Sequence, residues 1–315
     1  MADIASNLTQ NLVRGIGAEP GSEGGIRSWI EAAAFVPKLD AASRVWEMGS
    51  FNLDELVAYL GFDYTRFALA SAESLMVSDV EWRDHNLVGW PLLKLYYSAF
   101  FSAHALLRSQ GVGFVKIERK QAKSINDLFH IIDKSGASFE PGMYIHALDT
   151  SVRGDPKLRF TKDSGGSGAH EGFWDMFCKY LNKAAEDAVD AGEIDANAFL
   201  TGATEITAAI RGGAAHAGSW MSTMRNEINY QHKHAVWFPV GRPQKSHAGR
   251  RSLRIAPANS ITLPIGVGKD PVDAFWRVSF YLSLLNIDIS EHIAARSTKG
   301  GAFGQKWRRL RNSLR

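Results

Sequence analysis

The sequence predicts an all-α protein: a helical bundle with an N-terminal helical extension and a small β-hairpin-like insertion. Three observations carry that expectation. Apolar residues recur at three- and four-residue spacing through most of the 315 residues. Gly- and Ser-rich breaks, such as DSGGSGAH at 163–170, separate the periodic runs. Only the stretch near 235–270, with AVWFPV, SLRIA and SITLPIGV, has the short, β-leaning texture of strands separated by Gly and Pro.

The elements follow in chain order. The opening stretch to about Gly25 is rich in Gly, Ser and Asn and reads as a mobile arm; with two leading helices it makes up residues 1–60. Helical spacing covers Ile26 to Val36 and then Asn52 to Leu60, where Asn52 followed by Glu55 has the form of a capping box. Tyr64, Phe67, Leu69, Ala70, Leu75 and Met76 place a third helix over 63–77, closed by a turn at Ser78-Asp79. In the next helix Pro91 suits the first turn, Leu92 to Leu107 give a broad apolar face, and Gly111 with Gly113 end it. Further helices are expected at 121–133, 170–191, 197–210, 219–232 and 271–294. The main domain thus spans 61–294, with insertions near 135–170 and 235–270, and a basic tail occupies 295–315.

Composition excludes several classes. A content of 45% apolar residues supplies a substantial core, which rules out disorder for most of the chain. The net charge of +3 is too small for the whole surface to attract a polyanion, so any anion-binding surface must be local. One cysteine, Cys178, excludes an intrachain disulfide and every multi-Cys metal site, and points to a reducing compartment. Neither a basic n-region with an apolar h-region nor a membrane span is evident. The most apolar stretch, Leu87 to Leu107, contains Pro91, Lys94 and His104. A cytoplasmic protein without a cofactor is the expectation.

The chemistry-bearing residues lie in the 219–232 segment. On a continuous helix, Arg225 and His232 would point the same way with about 10.5 Å of axial rise between them. A guanidinium is a permanently charged fork for phosphate oxygens, and an imidazole exchanges protons near neutral pH. Together they suit metal-independent RNA cleavage, in which the ribose 2′-hydroxyl attacks its own phosphate. Three Arg-to-His pairs in the chain have four to six intervening residues, about the number chance supplies. Arg211 to His216 crosses Gly212-Gly213 and Arg242 to His247 contains Pro243, so only Arg225 to His232 keeps an uninterrupted helical pattern. His232 and His234 diverge by about 200° on a helix, which argues against a metal there.

The segment MRNEINYQH resembles the Arg-Asn…His motif of HEPN-superfamily ribonucleases, and LLKLYYSAFFSAHALLRSQG is similar to that family's second helix. The likeness covers about residues 62–294. It implies an all-α bundle with Arg225, Asn226 and His232 as the catalytic group, in a homodimer that pairs the motif of each copy around one phosphate. Such proteins belong to antiphage and toxin–antitoxin systems, which implies an RNA substrate and, in addition, an antitoxin or defence-system partner protein. The six-residue spacer is at the long end of the family's range and leaves open a bent helix, a displaced histidine or a lapsed site. The competing readings are a non-catalytic module of the same shape that binds RNA, a nucleotide or a partner, and a structural subunit of a defence complex. Candidate RNA-backbone contacts are Arg242, Lys245, Arg250, Arg251 and Arg254 in the insertion, and Lys306, Arg308, Arg309 and Arg311 around Trp307. The aromatic run Tyr96, Tyr97, Phe100 and Phe101 is assigned to the core.

Overall fold

A computed structural model describes residues 8, 12–17, 24–85, 87–163, 169–212, 220–237, 270–297 and 302–313. It corrects the all-α expectation, because a five-stranded antiparallel sheet stands beside the helices. The strands are β1 (Phe35–Asp40), β2 (Val45–Ser50), β3 (Val112–Ile117), β4 (Gly142–Asp149) and β5 (Lys157–Lys162), in the order β1-β2-β5-β4-β3. The helices are α1 (Ile26–Ala32), α2 (Leu53–His85), α3 (Gly89–Ser109), α4 (Arg119–Ile132), α5 (Ala169–Asp190), α6 (Ala196–Arg211), α7 (Trp220–Asn229), α8 (Pro271–Arg296) and α9 (Ala302–Ser313).

The sheet escapes a helical reading for local reasons. The expected helix over Ile26 to Val36 stops at Ala32, where Ala33 turns into the left-handed region at φ 56°. From Phe35 the side chains alternate with period two, so that Phe35, Pro37, Trp46 and Met48 are buried while Val36 and Lys38 face out. Strand β1 lies at the sheet edge, where a proline without an N–H is tolerated. The Asp40 carboxylate closes the β1–β2 turn by accepting from the Ala42 N–H at 3.1 Å and the Ser43 hydroxyl at 2.6 Å. The insertion near 135–170 supplies β4 and β5, and the segment after Gly111, expected only to end a helix, is β3. The insertion expected near 235–270 falls mostly outside the described residues.

Register gives the sheet one apolar and one charged face. Trp46 stands opposite Phe160, which stands opposite His146, and Met48 stands opposite Leu158. Phe129 of α4 and Phe139 close over Trp46, with ring centroids 4.8 and 5.3 Å away. On the other face Glu47 stands opposite Arg159 at 3.4 Å, and Lys157 lies 3.6 Å from the same carboxylate.

Helices α2, α3 and α8 form the centre of the helical layer. The two helices expected over 52–60 and 63–77 are one, and Ser78-Asp79, expected as a turn, lies inside it. The buried Ser78 hydroxyl donates to the Pro91 carbonyl at 2.8 Å. Asn52 caps α2 by accepting from the Asp54 and Glu55 N–H groups at 3.0 and 3.2 Å. Small polar residues allow close approach: the Ser98 hydroxyl lies 2.7 Å from that of Ser283, and Ser71 lies 2.7 Å from Ser102. Gly61 is required on the same ground, because a Cβ there would sit 2.7 Å from the Ile16 carbonyl oxygen. The basic segment after 295 includes a docked helix, α9, whose Phe303 and Trp307 are buried and whose Phe303 ring lies 5.2 Å from Tyr64. Among the described residues no helix is long and apolar enough to cross a membrane.

Candidate functional site

Helix α7 has ten residues, and Trp220, Met221, Met224 and Ile228 bury one of its faces. That spacing leaves Arg225 half-buried and Asn226 exposed at the opposite edge. The guanidinium is held in place. Its Nη2 donates to the Tyr97 phenol oxygen at 2.6 Å and its Nη1 donates to Asn226 Oδ1 at 2.8 Å. The Tyr97 and Tyr230 rings flank it, with centroids 5.7 and 5.2 Å from the guanidinium carbon. These two bonds use two of five N–H groups, and Nε is buried without a partner. Arg225 therefore keeps donors for an incoming anion, and Asn226 orients the arginine rather than the histidine.

His232 is not on that helix, which corrects the expected continuous register over 219–232. Helix α7 ends at Asn229, and His232, His234 and Ala235 all have left-handed backbones, at φ 50°, 67° and 50°. The cause is a set of ties at the helix end. Glu227 accepts from Lys233 Nζ at 2.8 Å and pairs with His234 Nε2 at 2.9 Å, while the Lys233 N–H donates to the Glu227 carbonyl at 3.0 Å. The Trp237 indole N–H donates to the Ile228 carbonyl, one of the acceptors a helix end leaves open. Lys233's hydrogen bond, reinforced by that of His234, holds the Glu227 carboxyl below the usual range, although partial burial opposes it.

The folded-back segment carries His232 to the start of α3. Its exposed ring lies 5.8 Å from Trp237, which meets Trp90 edge-on at 5.2 Å. Trp90 precedes Tyr97 by seven residues on α3, so the two mark positions about 10.5 Å apart on one face. His232 and Arg225 are thus anchored at separate points along α3.

A third group, unforeseen from the sequence, lies beside Tyr97, within reach of the Arg225 charge. His170 begins α5, and its Nδ1 lies 2.9 Å from the Tyr96 phenol oxygen, which also accepts from Trp174 Nε1 at 3.1 Å. Its ring centroid is 6.1 Å from that of Tyr97 and 4.4 Å from that of Phe100. Burial, and then the Arg225 charge, push this imidazole below its ordinary pKa, and burial pushes the Tyr96 phenol up to about 12. Tyr96 and Tyr97, assigned to the core on spacing alone, diverge in role: Tyr96 is buried, whereas the Tyr97 hydroxyl reaches the site.

Of the remaining predicted contacts, only those on α9 fall among the described residues, and they lie away from this site. Arg242, Lys245, Arg250, Arg251 and Arg254 lie outside the described residues. Lys306, Arg308, Arg309 and Arg311 are exposed on α9, where Arg311 pairs with Glu291 at 2.7 Å. Helix α7 meets α8 at Phe275 through Trp220, whereas α9 meets it at Glu291, sixteen residues or about 24 Å further along. Among the described residues no three His, Cys, Asp or Glu side chains are grouped to hold a metal ion. Cys178 is fully buried and its thiol is pushed up to about 12 by that burial, so it offers no thiolate at neutral pH. No family model, curated protein or solved structure matches the chain.

Proposed function

We propose that the chain is a metal-independent endoribonuclease of a prokaryotic defence or toxin–antitoxin system, acting in the cytoplasm as a homodimer. The observation that carries this reading is the Arg225 guanidinium, fixed at an exposed helix edge by Tyr97 and Asn226 with N–H groups still unused. Such a group binds a phosphodiester and stabilises the extra negative charge of its pentacoordinate state. The Arg-Asn…His resemblance supports the same assignment. His232 is exposed and anchored apart from Arg225, an arrangement suited to meeting the arginine of a second copy rather than that of its own chain.

The reaction moves one proton each way. His232 takes the proton of the 2′-hydroxyl as that oxygen attacks phosphorus. The bond to the 5′-oxygen breaks, and the leaving oxygen takes a proton from an imidazolium or water, giving a 2′,3′-cyclic phosphate and a 5′-hydroxyl. The wild-type chain should cut RNA but neither DNA nor 2′-O-methyl RNA, and EDTA should not inhibit it. Arg225→Ala and His232→Ala should each abolish cutting while remaining folded; undiminished cleavage by both would refute the assignment.

A second reading is favoured by one observation, the departure of His232 from α7. In it the Arg225 site binds RNA, a nucleotide or a partner without cleaving. Binding of RNA with no product across varied substrates would decide for it.

A further inference from the structure

The surroundings of the His170 ring favour one tautomer. Trp174 Nε1 can only donate, so it occupies one lone pair of the Tyr96 oxygen. Burial keeps the Tyr96 phenol protonated, so it retains a hydrogen that His170 Nδ1, 2.9 Å away, is placed to accept. A neutral imidazole that accepts at Nδ1 carries its proton on Nε2. Among the described residues His170 makes no other hydrogen bond, so Nε2–H is uncommitted. Tyr97 connects this ring to the arginine: it lies 6.1 Å from the His170 ring and accepts the Arg225 hydrogen bond.

We propose that His170 is a second phosphate-binding residue of the Arg225 site, donating Nε2–H to an anion that the guanidinium holds. This rests on the reading of Arg225 as a phosphodiester site. The residue acts as a fixed dipole, not as a base, because its Nδ1 lone pair is engaged by Tyr96. The Trp174–Tyr96–His170 chain holds the donor direction before the substrate arrives, and a preset donor needs no reorganisation on binding.

The test uses the full chain and a fluorescein-labelled 2′-O-methyl oligoribonucleotide of mixed sequence, which cannot be cut. Wild type, His170→Ala, His170→Gln and Arg225→Ala are titrated by anisotropy, and far-UV melts check folding. Loss of a neutral donor in His170→Ala should weaken binding about tenfold, and the side-chain amide of His170→Gln should restore it to within about threefold. In wild type, long-range ¹⁵N–¹H spectra should show the Nε2-protonated tautomer of His170, with the Nε2 resonance moving when the oligonucleotide is added. If His170→Ala binds like wild type while Arg225→Ala does not, the His170 assignment falls and the Arg225 site stands. A proton on Nδ1, or failure of His170→Gln to rescue a folded chain, also overturns the assignment. No binding by wild type removes both readings.

Discussion

Tyr97 accepts the Nη2–H of Arg225 at 2.6 Å, and this bond fixes the polar edge of α7 to the middle of α3. Its partner is a side chain that the sequence places in a run of core aromatics, so the contact tests whether that hydroxyl matters. Tyr97→Phe keeps the ring beside the guanidinium and removes only the acceptor. Because the pair is partly exposed, the folding cost should be about 1 kcal/mol. RNA cleavage should fall much further than stability, as the guanidinium loses its orientation. Thermal melts and single-turnover cleavage rates would separate the two effects.

Gly89 gives a test of the His232 tether. A Cβ at this position would lie 2.7 Å from the Trp237 ring, so Gly89→Ala displaces the indole against which His232 packs. Cleavage should drop while binding of an uncuttable oligonucleotide, which depends on Arg225, stays near wild type. Hydrogen exchange over 230–237 should rise in the same variant.

Acid should loosen the chain earlier than carboxylates alone would require. His146 is fully buried, neither ring nitrogen has a hydrogen-bond partner, and burial lowers its pKa to about 3, with the nearby Arg108 charge acting in the same direction. A depressed histidine binds its proton more readily in the unfolded chain. Stability is therefore full above the unfolded value of about 6.5 and is lost as pH falls from there towards the folded value. The loss at pH 5 is about 2 kcal/mol. His146→Phe should remove this component, and denaturant midpoints at pH 5 and pH 8 for both proteins would show it.

Helix α9 should be integral to the fold despite its charge. Trp307 and Phe303 are both 1% exposed, so Trp307→Ala should cost about 3–5 kcal/mol. Arg308 is exposed, and Arg308→Ala should leave the melting temperature unchanged.

Long periodic segments were legible because one helix face repeats often enough to be recognised. Pro91 in the first turn and Gly111 at φ 75° bracket α3 much as spacing predicts. The strands offered only six to eight residues each, with Lys38, Glu47 and Arg159 breaking the apolar runs on the outward face. Their partners are remote: Trp46 and Phe160 are over a hundred residues apart, and nothing local identifies such a pairing. The helical placement of Arg225 and Asn226 was legible from spacing. The position of His232 was not, because it is decided by Glu227, Lys233 and His234 turning the chain back at the helix end. His170 had no signal beyond a lone histidine after a glycine-rich run, and its relation to Tyr96 is wholly tertiary.

The antiparallel pairing of β2 with β5 also sets an order of assembly. During synthesis the β1–β2 hairpin emerges early, but the strand that covers its open side does not exist until residues 157–162 have been translated. Until then the nascent chain carries an unzipped edge beside two finished long helices, and ring closure across that gap makes folding slow relative to a simple bundle of equal stability. Ribosome-stalled chains ending before residue 157 should be readily cleaved by protease around residues 35–50, and chains extended well past 162 should resist.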